Sequence, residues 1–426
     1  MSSNLIFHVD INSCYASCEK ILDPSLARKP VVVLSNNDGC IIALDAHAKA
    51  LGFSMGQPWF EVKQRAQEQG VIARSSNYEL YGDISDRVMR ILQEYAGDFE
   101  QYSIDEAFLT APASPADARQ LARTIKDDVA RRVGVPVCVG VARTKTLAKL
   151  SNKAAKKIPA LSGVCVWDAL PTERREALLT TLPVSELWGV GSRSARRLAL
   201  LGITSINDLA LAPPTFIREK LNVVLMRTAL EVQGIPAVEW EENRLEKDQL
   251  VYSRSFSDPI TTEEQMRQVL SVYAQRAAQR LVKHQQTARY ISAFCSTSYF
   301  AQGVQSHPAV RIKLDTATAD PVVITRASHR LLTRADFGVA RYVRAGIILT
   351  DLHPASYEPL LEPFISPYDK RQIARLLHTV QEQCGEHSVG LGYAGLSHKP
   401  SWEMKREMLS PRGTTHWNEL ATAKIR

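Results

Sequence analysis

Three acidic residues from distant parts of the chain, Asp10, Asp105 and Glu106, have the chemistry needed to hold divalent cations. Asp10 follows the apolar run at residues 5–9, which is typical of a buried strand whose last residue emerges into solvent. Adjacent strand residues point to opposite faces, so the backbone must turn at Asp105 and Glu106 if both serve one site. Carboxylates that clamp paired hard cations suit phosphoryl or nucleotidyl transfer. Taken alone, the acidic pair is also typical of an ordinary solvated turn.

The composition indicates a folded, multidomain protein with a polyanionic partner. A chain of 426 residues exceeds one ordinary core, and we expect about three or four domains. The net charge of +7 favours nucleic acid or a membrane surface as the partner. No apolar stretch is long enough to span a membrane and no secretory signal is visible, so we expect a soluble, cytoplasmic protein. The seven cysteines lack zinc-site spacing and are expected to be reduced, with Cys14 and Cys18 packed on one helix face.

Strand and helix patterns divide the chain into blocks. Up to about residue 170 their order predicts an α+β layer, with helices on one face of a mainly antiparallel sheet. Residues 171–235 show short helical patterns interrupted by Gly and Pro, and residues 239–244 are polar and charged, as in a linker. A second α+β pattern covers 250–353. Four prolines within 354–368 then predict a tether to a helical and basic C-terminal segment.

A stripe of lysines lies on one face of the helix predicted over residues 144–157. The spacings of four, four and three place these lysines in line: Lys145, Lys149, Lys153 and Lys156. Like charges in such a row repel one another, so the stripe implies an anionic counterpart. A triphosphate or a nucleic-acid backbone would supply it, and a solvated helix face is the alternative.

The sequence Trp188–Ser192 has the form of the turn in a helix–hairpin–helix. Gly189 and Gly191 would let backbone N–H groups approach a phosphate, and Arg193 and Arg196 follow directly. A plain turn between helices would use the same glycines. The arginines therefore carry the prediction of a DNA contact.

Arg311 and Lys313 alternate with apolar residues in a predicted strand over 309–316. The alternation places both on one outward face of the second sheet. A basic outer face could lie against a phosphate backbone without reading bases. Ordinary solvation of a strand gives the same pattern.

Several motifs in the same order resemble those of Y-family translesion DNA polymerases, specifically the UmuC type. The resemblance covers essentially the whole chain, including a C-terminal tail that most other Y-family members lack. The motifs are residues 9–19, 29–40, 75–81, 102–108, 144–150 and the tail at 402–412.

The resemblance implies a multidomain α+β right-hand polymerase with a ferredoxin-like palm, small fingers, a helical thumb and an α+β little finger. The implied domains are the palm (1–34 and 79–170), fingers (35–78), thumb with helix–hairpin–helix (171–238), linker (239–249), little finger (250–353) and partner-binding tail (354–426). The implied activity is error-prone, template-directed synthesis past damaged DNA in the SOS response.

By the same resemblance, Asp10, Asp105 and Glu106 bind two Mg²⁺ ions with help from the main-chain carbonyl of Ile11. The primer 3′-hydroxyl would then attack the α-phosphate of a dNTP, and pyrophosphate would leave. Tyr15 falls at the position of the aromatic ring that excludes a 2′-hydroxyl.

Lys49 and Lys156 fall where the family has basic residues that contact the triphosphate. Many members carry a Tyr where this chain has Ala46, so phosphate binding is expected to depend on the two lysines. Cys14 stands before Tyr15 where aromatic residues are common, which would alter how strictly sugars are discriminated.

The implied partners are primer–template DNA, dNTP, a UmuD′ dimer, a RecA filament and the sliding clamp. The clamp-binding peptide of UmuC proteins contains a Gln, which the corresponding segment 357–364 lacks, and prolines interrupt this segment. Leu360, Leu361 and Phe364 could still supply apolar anchors, and Trp402 belongs to the partner-binding tail.

Two other functions compete with an active polymerase. One is a catalytically inactive, polymerase-like scaffold that binds DNA within a mutagenesis complex, and the presence of all three carboxylates argues against it. The other is a palm-based nucleotidyl cyclase, which the basic thumb and little-finger regions disfavour.

Overall fold

The computed structural model describes residues 4–241, 247–298, 303–355, 371–385, 388–395 and 400–420. The described residues divide into two units. The first unit lies within residues 1–35, 39–243 and 408–426, and the second lies within residues 36–38 and 244–407. None of the helices in these ranges is long and apolar enough to cross a lipid bilayer.

The strands of the described chain, in order, are β1 (Asn4–Ile11), β2 (Val31–Leu34), β3 (Ile41–Leu44), β4 (Ile72–Ser75), β5 (Phe99–Gln101), β6 (Glu106–Pro112), β7 (Val137–Ala142), β8 (Val164–Val166), β9 (Gln249–Ile260), β10 (Gln286–Thr297), β11 (Ala309–Thr318) and β12 (Tyr342–Pro354). The α-helices are α1 (Cys14–Leu22), α2 (Ala46–Ala50), α3 (Trp59–Glu68), α4 (Tyr78–Glu94), α5 (Pro115–Arg132), α6 (Lys145–Lys157), α7 (Thr172–Thr181), α8 (Ser192–Ala199), α9 (Ile206–Leu211), α10 (Pro214–Lys220), α11 (Val223–Val232), α12 (Glu263–Lys283), α13 (Pro321–Ser328) and α14 (Ile373–Cys384).

A five-stranded sheet of order β5-β6-β1-β7-β8 forms the centre of the first unit. β1 pairs antiparallel with both β6 and β7, and β7 pairs parallel with β8. Both faces of β1 are buried: Leu5, Phe7 and Val9 pack in the core with α4 and α5, whereas Ile6 packs in the core with α6 and the helices that follow. The predicted placement of helices on one face only was wrong, because the alternation in β1 supplies apolar side chains to both sides.

Helix α6 lies unusually close to the sheet at Gly140 in β7. A Cβ built on Gly140 would stand 2.2 Å from both the Ala148 carbonyl oxygen and the Asn152 amide nitrogen. Asn152 makes use of this close approach, since its Nδ2 donates to the carbonyls of Cys138 at 2.7 Å and His8 at 3.0 Å. The missing side chain at Gly140 therefore sets how near α6 comes to β1.

A smaller sheet of order β3-β2-β4 belongs to the same unit. Strands β3 and β4 lie in the predicted fingers (35–78), whereas β2 lies at the end of the segment predicted as palm (1–34). β2 pairs antiparallel with β3 and parallel with β4. Trp59, Val62 and Ala66 of α3 pack with the strands in a separate apolar core. Helices α7 to α11 pack in the core that also contains the buried face of α6, so the predicted thumb packs directly onto the five-stranded sheet.

A buried ion pair joins α6 to β5 and to the segment after α11. Lys145 is 1% exposed, and its Nζ donates to Glu100 Oε2 at 2.5 Å and to the Glu239 carbonyl at 2.7 Å. The same Glu100 oxygen accepts from the Glu241 amide at 2.7 Å, and the ammonium lies 4.6 Å from the centre of the Trp240 ring. Each charge therefore has partners that replace the water lost on burial.

The second unit is an antiparallel sheet of order β11-β10-β12-β9. The inward side chains of the strands pack with α12 and α13 around one core that includes Tyr273 and Tyr342. α14 packs against α12. All seven cysteines of the chain are free; Cys384 is exposed, Cys40 is partly buried and the others are buried.

We expect Gly140→Ala to destabilise the first unit by about 3 kcal/mol or more, because overpacking typically costs about 1–3 kcal/mol and here the added methyl group meets backbone atoms. Gly82→Ala is the matched control: Gly82 lies within α4 with nothing within 4 Å of an added Cβ, and Ala should stabilise a helix by about 1 kcal/mol. Thermal and urea unfolding of the full chain measure both changes. Equal effects from the two substitutions would contradict the close approach of α6.

We expect Lys145→Met to cost about 3–5 kcal/mol of stability, because it leaves the buried Glu100 carboxylate without its ammonium partner. The double substitution Lys145→Met with Glu100→Met should recover much of that loss, since no unpaired charge remains. Urea denaturation of the single and double variants measures the difference. A double variant as unstable as the sum of the two single variants would contradict this account.

Candidate active site

The pairing of β1 with β6 brings Asp10 and Glu106 opposite each other. The two are direct partners in the antiparallel register, so their Cβ atoms are separated by roughly 4.5–5.5 Å. Asp10 is 8% exposed, and it shares its face of β1 with His8. Two carboxylates 96 positions apart in sequence therefore meet at one edge of the sheet because of strand register alone.

Ser103 fixes the turn that precedes β6. Its Oγ accepts from the amides of Asp105 at 3.2 Å and Glu106 at 3.1 Å, and donates to Asp105 Oδ1 at 2.6 Å. The Asp105 carbonyl in turn accepts from the Ile11 amide at 2.8 Å. The turn predicted at the acidic pair is therefore present, and it places Asp105 beside the end of β1.

The lysines of α6 face these carboxylates. Lys149 Nζ lies 2.7 Å from Glu106 Oε2, and Lys156 Nζ forms an ion pair with Asp10 Oδ1. The other two lysines of the predicted stripe pair with Glu100 and Glu186. The stripe was predicted to face a triphosphate, a nucleic-acid backbone or solvent, but each of its lysines pairs with a carboxylate of this chain.

Aromatic rings hold Lys149 in place. Its ammonium lies 4.0 Å from the centre of the Tyr102 ring and 5.0 Å from that of Trp188. Trp188 Nε1 donates to the Tyr102 hydroxyl at 3.0 Å, so the ring from the predicted hairpin is tied to the acidic segment. Cation–π contacts of this kind attract the ammonium without neutralising it.

Burial and the lysines shift the pKa values of the acidic groups in opposite directions. Burial raises the pKa of Asp10 to about 6, with Lys156 opposing the rise and Glu106 adding to it. Burial alone would raise the pKa of Glu106. The neighbouring His8 and Lys149 lower it by more than burial raises it, so the pKa of Glu106 lies well below its ordinary value. Perturbed carboxylates that line a cavity are typical of functional sites.

A cavity of about 270 Å³ opens over this edge of the sheet. Its lining combines two carboxylates of the sheet, lysines of α6 and the start of the thumb: His8, Asp10, Glu106, Thr146, Lys149, Leu150, Asn152, Lys153, Lys156, Glu186, Leu187 and Trp188. The imidazole of His8 is buried, and its Nε2 lies 3.6 Å from Glu106 Oε2. Burial lowers the pKa of His8, which favours the neutral ring.

The donor set at this cavity fits a hard cation. Carboxylate and carbonyl oxygens are the ligands that Mg²⁺ prefers. Asp10 and Glu106 present carboxylate oxygens here, and their charges are balanced by the ammonium groups of Lys156 and Lys149. Asp105 is turned towards Ser103 and does not line the cavity. Within the ranges that the structure describes, no group of three or more His, Cys, Asp or Glu side chains is arranged to hold a metal ion.

Tyr15, the predicted sugar-selecting residue, belongs to a cluster of tyrosine rings beside the acidic turn. Its ring stacks on Tyr81 with centroids 4.5 Å apart and meets the edge of Tyr78 at 5.8 Å. Burial, with a contribution from Asp105, raises the pKa of Tyr15 to about 12. Cys14 is buried at the start of α1, and Lys49 is exposed on α2.

The predicted DNA-contacting residues of the thumb lie at the start of α8. Gly189 adopts a φ of 81°, a conformation that favours glycine, and Gly191 precedes the first residue of the helix. Arg193 and Arg196 are both exposed on α8. The segment therefore has the glycine turn and the accessible arginines that the sequence predicts.

In the second unit, Arg311 and Lys313 lie on the exposed face of β11, as the alternation predicts. The Arg311 guanidinium stacks 4.4 Å from the centre of the Tyr290 ring on β10. On the same sheet Phe294 lies over Gly346, where an added Cβ would stand 2.6 Å from the ring. The basic groups of this face therefore lie beside aromatic rings.

The structure gives Trp402 a different role from the predicted partner contact. Its side chain is 7% exposed and packs against Phe256 and Tyr273 in the core of the second unit. Its Nε1 donates to Gln268 Oε1 at 3.2 Å. A buried indole cannot contact a partner without leaving this core, so this part of the prediction is corrected. The other predicted anchors, Leu360, Leu361 and Phe364, lie outside the described residues.

Models of known families match most of the chain. The impB/mucB/samB family model matches residues 9–153, its C-terminal domain matches residues 247–360, and a domain of unknown function matches residues 372–423. The chain is 41% identical to protein UmuC of Salmonella typhimurium over 97% of this chain and 99% of that protein. It is also 41% identical to protein SamB of the same species over 98% and 99%.

More distant relatives and solved structures point the same way. DNA polymerase IV 1 of Bacillus subtilis is 30% identical over 65% of each chain. A chimera of the Y-family DNA polymerases Dbh and Dpo4 superposes with a TM-score of 0.65 at 23% identity, covering 82% of this chain and 98% of that one. An insertion ternary complex of Dbh DNA polymerase gives 0.55 at 23% identity over 81% and 98%. The predicted fold class is confirmed, and the chain belongs to the impB/mucB/samB family, as a UmuC-type member of the Y-family DNA polymerases.

Proposed function

We propose that this protein is a DNA-directed DNA polymerase that extends a primer past damaged positions of a template strand. Its membership of the UmuC-type Y family supports the polymerase class and the translesion role. We further propose that it acts in the SOS response, in the bacterial cytoplasm, and that synthesis is error-prone.

The observation that carries this proposal is the register of β1 against β6. It sets Asp10 opposite Glu106 at the edge of a cavity lined by Lys149 and Lys156. A site with both paired carboxylates and ammonium groups can bind a polyphosphate together with the cations that accompany it. An exposed acidic turn would have neither a cavity nor ammonium groups paired with its carboxylates.

We propose that Asp10, Asp105, Glu106 and the main-chain carbonyl of Ile11 hold two Mg²⁺ ions. Such ions would supply charge stabilisation to phosphate oxygens and would orient the reacting groups. In the structure, Lys149 balances the charge of Glu106 and Lys156 that of Asp10. Ser103 occupies Asp105 Oδ1, which leaves Oδ2 as the oxygen that would bind a cation.

The remaining site residues are proposed to bind and select the nucleotide. Lys156, beside Asp10, and Lys49, exposed on α2, would contact the triphosphate of a dNTP. Tyr15 would exclude a 2′-hydroxyl, and the stacked Tyr81 ring prevents it from turning away. Cys14, which is buried directly before Tyr15 at the start of α1, is proposed to affect how strictly sugars are discriminated.

Primer–template DNA is proposed to bind through phosphate contacts in both units. The glycine turn before α8, with Arg193 and Arg196, provides one such surface in the first unit. The basic outer face of β11, with Arg311 and Lys313, provides another in the second. Contacts of this kind position a duplex without reading its sequence.

A UmuD′ dimer, a RecA filament and the sliding clamp are proposed as protein partners. The proposal is supported by the 41% identity to UmuC, which extends through the tail of this chain. Because Trp402 is buried, we no longer assign it a direct part in these contacts. A polymerase-like scaffold without activity is the alternative, and the first experiment below distinguishes the two.

We expect Asp105→Asn and Glu106→Gln each to reduce primer extension by about 100-fold or more, because the loss of a metal ligand removes several kcal/mol of transition-state stabilisation. Asp127→Asn, an exposed change on α5, is the matched control and should leave extension unchanged. Single-nucleotide incorporation on a primer–template at saturating Mg²⁺ measures the rates. Wild-type rates in both carboxylate variants would favour the inactive scaffold.

We expect Tyr15→Ala to retain most DNA synthesis and to raise ribonucleotide incorporation by about 10-fold or more, because the ring that excludes the 2′-hydroxyl is gone. The ratio of kcat/KM for dATP to that for ATP measures this change. Tyr393→Ala, at an exposed tyrosine of the second unit, controls for the loss of a ring elsewhere. An unchanged ratio in Tyr15→Ala would remove Tyr15 from the sugar-selecting role.

A further inference from the structure

The last described segment of the chain, residues 408–420, packs on the first unit at the junction of β4 and α4. Ser75, the last residue of β4, donates its amide to the Met408 carbonyl at 3.0 Å and accepts from the Met408 amide through Oγ at 3.0 Å. Leu409 continues this pairing as a parallel bridge with Ser75. The tail thus begins its contact by extending the small sheet.

Ser410 enters a buried polar pocket next to this bridge. It is 7% exposed, and Asn77 Nδ2 donates to its Oγ at 3.0 Å and to its carbonyl at 3.2 Å. The Ser410 hydroxyl donates to Glu19 Oε1 at 3.0 Å. Glu19 is 1% exposed on α1, so the tail reaches a carboxylate that water does not.

Glu19 connects this pocket to the tyrosine cluster of the nucleotide site. The same Oε1 that accepts from Ser410 accepts from the Tyr81 hydroxyl at 2.6 Å. The Tyr81 ring stacks on Tyr15 with planes 14° apart. A continuous line of contacts therefore runs from the tail through one carboxylate oxygen to the proposed sugar-selecting ring.

Within the part of the chain that the structure describes, the Glu19 side chain accepts hydrogen bonds from Tyr81 and Ser410 and has Arg74 as its ion-pair partner. Arg74 Nε lies 3.8 Å from its second oxygen, beyond hydrogen-bonding distance. Burial raises the pKa of Glu19, and the hydrogen bonds from Tyr81 and Ser410 oppose that rise. A buried carboxylate with so few donors depends strongly on each of them, so the Ser410 hydroxyl helps to fix where Glu19 holds Tyr81.

Ion pairs beyond Ser410 close the tail over this junction. Arg412 forms a two-pronged pair with Glu419, with its Nη2 2.5 Å and its Nε 3.1 Å from Oε1. Arg412 and His416 also lie 3.8 Å from Glu79 Oε2 at the start of α4. The segment is therefore anchored on both sides of Ser410.

We propose that Ser410 is a positioning residue for sugar selection, which acts through Glu19 and Tyr81 on the ring of Tyr15. The proposal gives part of the domain of unknown function a role inside the nucleotide site. It rests on the proposed function, because it takes Tyr15 as the residue that excludes ribonucleotides.

The test measures the dATP to ATP ratio of kcat/KM in the full chain for Ser410→Ala and Ser410→Thr. We expect Ser410→Ala to lower this ratio by about 3- to 10-fold, the loss that corresponds to one hydrogen bond, and Ser410→Thr, which keeps the hydroxyl, to retain it. Thr415→Val removes a hydroxyl of the same segment whose only described contact is at 3.4 Å, and it should not change the ratio.

Tyr81→Phe separates positioning from general stability. It keeps the stacked ring but removes the hydroxyl that binds Glu19, so Ser410→Ala added to Tyr81→Phe should change the ratio no further. An equal effect of Ser410→Ala with and without the Tyr81 hydroxyl would overturn the proposal. So would an unchanged ratio in Ser410→Ala while Tyr15→Ala loses discrimination. If Tyr15→Ala itself keeps the wild-type ratio, the sugar-selecting function of Tyr15 fails instead.

Discussion

Burial of carboxylates at one edge of a sheet is the constraint on which the rest of this structure depends. Asp10 is buried and stands opposite the partly buried Glu106, and like charges so placed repel unless cations lie between or beside them. Helix α6 supplies those cations in the form of Lys149 and Lys156. The charges of Asp10 and Glu106 are therefore balanced by groups of this chain, and the same lysines are those we propose to face a polyphosphate.

The close approach of α6 follows from this requirement. Gly140 allows the helix backbone to lie against β7, and Asn152 bonds to carbonyls of both β1 and β7. Lys145 ties the start of the same helix to Glu100. Helix α6 thus carries both the groups that fix its distance from the sheet and the groups that line the cavity. The stability of the first unit is therefore coupled to the geometry of the site.

Local patterns predict the elements well and the charge pairs poorly. The sequence predicts the helix over 144–157 and the turn at Asp105, and the structure has α6 at Lys145–Lys157 and a turn fixed by Ser103. These features depend on periodicity and on short-range hydrogen bonds. The partners of the lysines on α6 lie tens of residues away, and Ser410 lies 391 residues from Glu19, so no local spacing reveals them. The buried position of Trp402 was missed for the same reason. A signal did exist for helices on both faces of the sheet, since Leu5, Ile6 and Phe7 are all apolar, as expected for a strand buried on two sides.

The alternation of side chains along β1 also limits how this protein can vary. Inserting or deleting a single residue before Asp10 within β1 would exchange the two faces of the strand. The Asp10 side chain would then point into the apolar core that Val9 now occupies. Conservative replacements of Leu5 or Phe7 would disturb only packing. The segment should therefore tolerate changes of residue type far better than changes of length, and length variation should accumulate in the connections outside the central sheet.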